Sequence, residues 1–299
     1  MIETRTRGVV EMSAAMAISG TIGLFVVMSK QPLATVVFWR CAFGAVTLLL
    51  ICAAFGFLRP GLITGRQFAL AALGGVAIVA NWLFLFAAYP LASIAIATAV
   101  YNTQPFMLVA LGIVVIKERP SIAKLAWLVL AFAGMLAIVE AHPESGGEAG
   151  NYTLGIVFAL TAAFLYALAA IVAKALNGVP PHLIALIQVA VGIVMLAPWA
   201  DVAALPGTAI DWLWLVAIGV VHTGVMYSLL YGAIQKLPTS LTGALSFIYP
   251  IVAILVDRLA FDHHLAFMQW LGIAAILLAA AGSTLGWRIG AGTAAEGAA

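Results

Sequence analysis

Apolar residues fill this chain in runs of about twenty, divided by short polar breaks. At ~1.5 Å of rise per helical residue such a run spans the hydrocarbon core of a bilayer, so each predicts a transmembrane helix. Ten runs are counted, roughly 9–29, 33–56, 67–89, 92–116, 122–140, 153–176, 182–200, 212–235, 239–260 and 266–288. The breaks carry helix-ending punctuation: Lys30-Gln31-Pro32, Arg59-Pro60-Gly61, Lys117-Glu118-Arg119-Pro120, Pro143 to Gly150, and Val179-Pro180-Pro181. The first run follows Arg5 and Arg7 as a signal peptide would. It is too long for one, lacks a clear cleavage site and precedes nine more runs, so it reads as a retained helix.

Composition agrees. The 299 residues are 65% hydrophobic and 8% charged, and the mean hydropathy is +1.16. A soluble domain is about 25% charged. So few charges cannot solvate a soluble surface of this size, which excludes a soluble enzyme, a nucleic-acid binder and a disordered chain. The net charge of +2 implies no anionic partner. Cys41 and Cys52 would sit ~16 Å apart along one helix, too far to bridge. No metal, redox centre or cofactor is expected.

Lysine and arginine set the orientation. With ten crossings both termini share a side, and that side carries ten of them: Arg5, Arg7, Arg59, Arg66, Lys117, Arg119, Lys124, Lys174, Lys236 and Arg288. The other side carries two, Lys30 and Arg258, and Arg40 lies within a helix. Both termini are therefore expected in the cytoplasm.

The second half echoes the first. Shifting residues 85–105 by 145 lays Leu85 on Leu230, Ala88 on Ala233, Ala99 on Ala244 and Pro105 on Pro250. Pro32 precedes Arg40 by eight, as Pro180 precedes Gln188. The hydropathy repeats more plainly than the residues: five runs, a polar loop, five runs. A five-helix unit used twice must enter the membrane from opposite sides, and inverted repeats are a hallmark of secondary transporters. The expected architecture is all-α: residues 1–140 as one five-helix repeat, 141–152 as an extracytoplasmic linker, 153–288 as the inverted second repeat, and 289–299 as a disordered Gly/Ala-rich tail.

Particular residues narrow this. Tyr101-Asn102-Thr103-Gln104-Pro105, Lys117-Glu118-Arg119 thereafter and Gly134 in the next run resemble the fourth and fifth helices of the EamA family. Ser246-Phe247-Ile248-Tyr249-Pro250 is similar, and Lys30, Pro32 and Arg40 also fit. The resemblance covers nearly the whole chain. It implies the drug/metabolite transporter superfamily, with ten helices in a 5+5 inverted repeat and export of small metabolites. Within it the chain looks most like the aromatic amino-acid exporters. One position departs: thirteen residues past Pro250, where a counterpart of Glu118 would fall, stands His263.

Pro105 and Pro250 lie near the middle of their runs. A proline there frees a backbone carbonyl, which protein or water must satisfy. It is a simple kink or a functional helix break. Thr98, Tyr101, Asn102 and Pro105 share one helical face; so do Thr242, Ser246, Tyr249 and Pro250. Two polar stripes at equal depth suggest a shared cavity, the alternative being hydrogen-bond glue between helices. Asn81, Trp82, His222, Thr223 and Tyr227 add polar groups from the third and eighth runs, and Tyr166 from the sixth. His222 is a ligand or proton contact, or a neutral side chain bonded across helices. Arg40, ~10 Å in from the outer end, either snorkels outward, contacts a carbonyl, or serves a vestibule for substrate carboxylates. Glu118 is a solvated ion-pair member or an inner gate contact. Glu11 reads as an interfacial carboxylate.

No acidic residue falls in the central third of any run, which disfavours a proton-driven exporter of cationic drugs. No hydrolase, phosphate-binding or zinc-protease motif stands at a plausible site. The expectation is a non-enzymatic, multi-pass exporter of small molecules in a bacterial inner membrane, with the lipid bilayer its main partner, no nucleic acid, and a monomer compatible with the sequence. Amino acids, including aromatic ones, suit a cavity of Tyr, Trp, Asn and His. A nucleobase, sugar or drug exporter is the alternative, and a lipid-acting membrane enzyme a more distant one.

Overall fold

The computed structural model describes residues 2–104, 107, 111, 122–140, 149–176, 178–200, 206–236, 245 and 248–287. Among these the regular structure is helical, with no strand. The helices are α1 (Ile2–Met28), α2 (Leu33–Ala54), α3 (Gly65–Ala92), α4 (Ile94–Tyr101), α5 (Ile122–Glu140), α6 (Ala149–Ala175) and α7 (Pro181–Leu196), then α8 (Ala209–Gly219), a π-helical segment (Val220–Val225), α9 (Met226–Lys236), α10 (Ile248–Phe261) and α11 (Phe267–Leu285). They lie on the apolar runs. Five stretches among the described residues are long and apolar enough to cross a membrane: Arg5–Met28, Leu33–Ala54, Gly65–Ala92, Asn151–Val172 and Ala209–Leu230. Pro181–Leu196 and Phe267–Ala279 are shorter apolar helices. Large apolar side chains such as Leu50, Leu73, Val129, Val194 and Leu213 stand exposed on the outside of the bundle. That surface suits lipid and not water.

Local chemistry sets the helix ends. Thr64 and Gln67 form a reciprocal capping box at the start of α3: Gln67 N donates to Thr64 Oγ1 at 3.3 Å and Thr64 N to Gln67 Oε1 at 2.9 Å. Thr208 caps α8 through the N–H of Asp211. Gly286, in the left-handed region, closes α11. The third helix runs past its expected end, through Pro90 to Ala92, and stops where Ser93 adopts φ +67°. A left-handed serine costs about 1 kcal/mol or more, and here its hydroxyl caps α4 by accepting from Ile96 N.

The expected fourth helix is interrupted. α4 ends at Tyr101, and Asn102 and Thr103 form a turn before helical structure resumes at Gln104. The proline at 105 has no N–H to offer the Tyr101 carbonyl, so the ladder fails one turn ahead of it.

Helix pairs pack closely where side chains are small. A methyl added at Gly20 of α1 would lie 2.8 Å from the Tyr249 carbonyl of α10, and one at Gly192 of α7 would lie 2.4 Å from Cys41 Sγ of α2. One at Gly134 of α5 would meet the Gly272 carbonyl of α11 at 2.7 Å. Gly20 and Thr21 of α1 thus lie on a packing face, Gly20 against α10 and Thr21 against His222. Cys41 and Cys52 are buried and unbridged.

Candidate functional site

Arg40 marks the centre. Its side chain is 2% exposed, and its guanidinium carbon sits 3.9 Å from the Trp82 ring centroid and 5.7 Å from that of Phe86. Nε donates to Thr223 Oγ1 at 3.2 Å. Nη1 is buried with no partner among the described residues. Arg40 therefore does not snorkel. α2 crosses the α8–π junction through glycines: a methyl at Gly44 would lie 2.6 Å from Thr223 Cγ2, and one at Gly219 would lie 2.4 Å from Phe43 Cβ. That crossing holds the arginine against Thr223 and over the aromatic face of α3. A desolvated cation over an indole gains about 2 kcal/mol, which favours staying inside.

Four tyrosines lie within electrostatic range of the guanidinium. Tyr227, Tyr89 and Tyr101 interact with it electrostatically, and Tyr249 does so from α10. Tyr101 and Tyr166 meet edge to face, centroids 6.0 Å apart at 76°. Tyr166 is also within electrostatic range of Tyr227 and Tyr249. It is 38% exposed, and its neighbours come from α4, α9 and α10. Trp82, Tyr101, Tyr166, Tyr227 and Tyr249, foreseen separately, thus converge. Tyr89 was not foreseen, because it ends its apolar run. Its spacing of seven from Trp82, with Phe86 between, would have placed it on the same helical face.

The polar residues divide. Asn81, fully buried, donates from Nδ2 to the Ala162 carbonyl at 2.6 Å and to Tyr101 Oη at 3.3 Å, tying α3 to α6 and α4. Its Oδ1 has no partner among the described residues. Thr98 is buried, facing the phenol of Tyr249. Asn102 turns back, Nδ2 bonding the Thr98 carbonyl at 2.7 Å, so it braces the end of α4. His222 Nε2 bonds Thr21 Oγ1 at 3.0 Å and its ring meets Phe25 edge-on at 4.7 Å. That is the pattern of a side chain bonded across helices. Pro250 is buried near the start of α10. Pro105, Glu118 and Ser246 lie outside the described residues, as does Thr242.

The π segment explains why His222 and Thr223 reach different helices. Its wider turn lets Thr223 Oγ1 approach the Ile218 carbonyl five residues back, at 3.4 Å, while it faces Arg40. Single π turns recur at functional sites. Among the described residues no Asp or Glu pairs with Arg40, and no cluster of three potential metal ligands occurs.

The profile of the EamA-like transporter family matches residues 6–140 and again 153–285. The chain belongs to the EamA-like transporter family. Two relatives carry the same description of role. An uncharacterized transporter of Bacillus subtilis (strain 168), YxxF, is 26% identical over 273 residues, covering 91% of this chain and 88% of its own. An uncharacterized transporter of Archaeoglobus fulgidus is 27% identical over 275 residues, covering 90% and 92%. A crystal structure of a protein superposes with a TM-score of 0.66 at 20% identity, over 94% of this chain and 97% of that one. It shares the fold. This EamA-like transporter is accordingly a multi-pass membrane protein whose family moves small molecules across a bilayer.

Proposed function

We propose that this EamA-like transporter exports amino acids, aromatic ones included, across a bacterial inner membrane by alternating access. In this reading the chain crosses ten times, both termini are cytoplasmic, and two five-helix halves of opposite orientation move about a shared central site. The observation that carries it is the meeting of Trp82, Tyr101, Tyr166, Tyr227 and Tyr249, from helices far apart in sequence, around one point deep in the bundle. Ring faces and phenol hydroxyls there offer stacking and hydrogen bonding to an aromatic solute. The packing supports two related halves. α3 lies along α6 as α1 lies along α9, α2 crosses α8 as α7 crosses α3, and the pairs α2–α7, α4–α10 and α5–α11 each join matching helices.

Counterflow of labelled phenylalanine in proteoliposomes tests it. Uptake against preloaded unlabelled phenylalanine is the expected result. Flux of a nucleobase or a sugar with none of phenylalanine would replace the substrate. Conversion of a lipid without movement of solute would replace the transporter reading with an enzyme.

A further inference from the structure

We propose that Arg40 is the anion-binding group of this site and that it takes the carboxylate of a small aromatic acid. The inference rests on reading the tyrosine-lined centre as the place where substrate binds.

A guanidinium held at membrane depth is costly, by a few kcal/mol on insertion scales and more by simulation. Its observed contacts are one hydroxyl and two aromatic faces, which stabilise a cation without neutralising it. A structural ion would have its counter-ion. Here no acidic side chain pairs with it among the described residues, and Nη1, a donor with fixed direction, has no acceptor. The packing itself does not call for the charge. Eight residues past Pro180, where Arg40 stands eight past Pro32, the matching buried residue is the neutral Gln188.

An incoming carboxylate answers both deficits at once. It neutralises the guanidinium and accepts from the free N–H in a charge-assisted bond. Trp82 lies against the guanidinium and limits the directions from which an anion can reach it. Tyr101, Tyr227 and Tyr249 lie within electrostatic range of the guanidinium and offer the ligand's body an aromatic surround. The unpartnered Asn81 Oδ1, bonded through its amide nitrogen to Tyr101, is an acceptor suited to an amino group. Free amines gain nothing from Arg40 and are repelled by it. Sugars and nucleobases have no anion to offer it.

The test uses the purified full chain in detergent and three probes: L-phenylalanine, 3-phenylpropionate, which lacks the amine, and phenylalaninamide, which lacks the carboxylate. Binding is read as a ligand-induced rise in unfolding temperature. The two acids should stabilise the wild type and the amide should not. Arg40→Gln should weaken both acids roughly 10- to 150-fold, the loss of a hydrogen bond to a charged group. It removes an unpaired charge, so its unliganded protein should unfold no earlier than wild type. Arg40→Lys keeps the charge without the fork and should fall between. Equal stabilisation by acid and amide, no stabilisation by any probe, or undiminished acid binding in Arg40→Gln overturns the assignment. Failure of amino-acid export is a separate result: if the acids bind through Arg40 while labelled phenylalanine is not moved in liposomes, the carboxylate site stands and the amino-acid reading falls.

Discussion

The Asp257 carboxylate accepts the backbone N–H of Ile94 at 3.3 Å. A side chain of α10 therefore caps the first turn of α4, more than 160 residues earlier, at the point where Ser93 has broken the chain away from α3. Asp257 is 1% exposed, and the same oxygen bonds His263 Nδ1 at 3.0 Å. A cavity of about 110 Å³ opens beside it, lined by Ala95, Ile254, Arg258 and Trp270.

Asp257→Ala should strand the Ile94 N–H and cost about 1–3 kcal/mol. Asp257→Asn keeps an acceptor and should cost less. The checks are the apparent unfolding temperature in detergent and the labelling rate of a thiol placed by Ala95→Cys in a protein without Cys41 and Cys52. Faster labelling in the alanine variant alone is expected if the bond holds α4 and α10 together. Identical stability and labelling in all three proteins would reduce Asp257 to a passive buried polar group.

At the other end of the bundle Lys236 of α9 donates to Glu11 of α1 at 2.7 Å and to the Gly232 carbonyl at 3.0 Å. Both side chains are largely shielded, and Arg7 approaches the second Glu11 oxygen at 2.9 Å. Exposed pairs contribute 1 kcal/mol or less, and a shielded, shared carboxylate should exceed that modestly, at roughly 1–2 kcal/mol. Lys236→Met and Glu11→Gln should each lower the unfolding temperature. Their effects should be non-additive in a double-mutant cycle. Additive losses would show that the two residues act independently.

Helix positions were legible because bilayer thickness fixes the length of an apolar run, a constraint written directly into residues such as those of 33–56 and 153–176. Trp82, Tyr101, Tyr166, Tyr227 and Tyr249 stand out in the sequence as polar or aromatic residues within apolar runs, and the fold brings their helices together around Arg40. What a single sequence lacks is azimuth and partner. Arg40 stands out as a charge inside an apolar run, but whether it reaches outward or inward depends on Gly44 and Gly219 admitting α2 against the π segment. Asn102 shared a face with Thr98 in an unbroken helix. The break at Tyr101 turned its side chain onto the backbone instead. The π segment itself leaves no periodic trace, since its flanking residues keep helical character.

That dependence on Gly219 can be measured. A methyl there would sit 2.4 Å from Phe43 Cβ and 3.2 Å from the Arg40 carbonyl, so α2 must move for it to fit. Overpacking of this kind costs about 1–3 kcal/mol. Gly219→Ala should lower the unfolding temperature and, by shifting Thr223 from Arg40, weaken ligand binding as well. Gly207→Ala has open space around it and serves as the control. Equal behaviour of the two variants would mean that α2 and α8 are not held at this separation.

The rings around Arg40 carry the last prediction. Tyr101 and Tyr249 approach the site from α4 and α10, and each phenol already has a near neighbour: Asn81 Nδ2 lies 3.3 Å from Tyr101 Oη, and Tyr249 faces Thr98 and Tyr89. Truncating either ring to alanine removes apolar contact worth about 1–3 kcal/mol, roughly 5- to 150-fold in affinity for an aromatic solute. Tyr→Phe separates the two functions of the side chain. Tyr101→Phe loses one long bond to Asn81 and keeps the edge contact with Tyr166, so phenylalanine binding should change by less than about threefold if the ring alone serves the ligand. A loss as large as that of the alanine variant would show that the hydroxyl itself bonds the solute. The measurement is binding and counterflow of labelled phenylalanine by the four purified variants. If both alanine variants reconstitute and bind as wild type does, the tyrosines are interhelical packing and the substrate path lies elsewhere in the bundle.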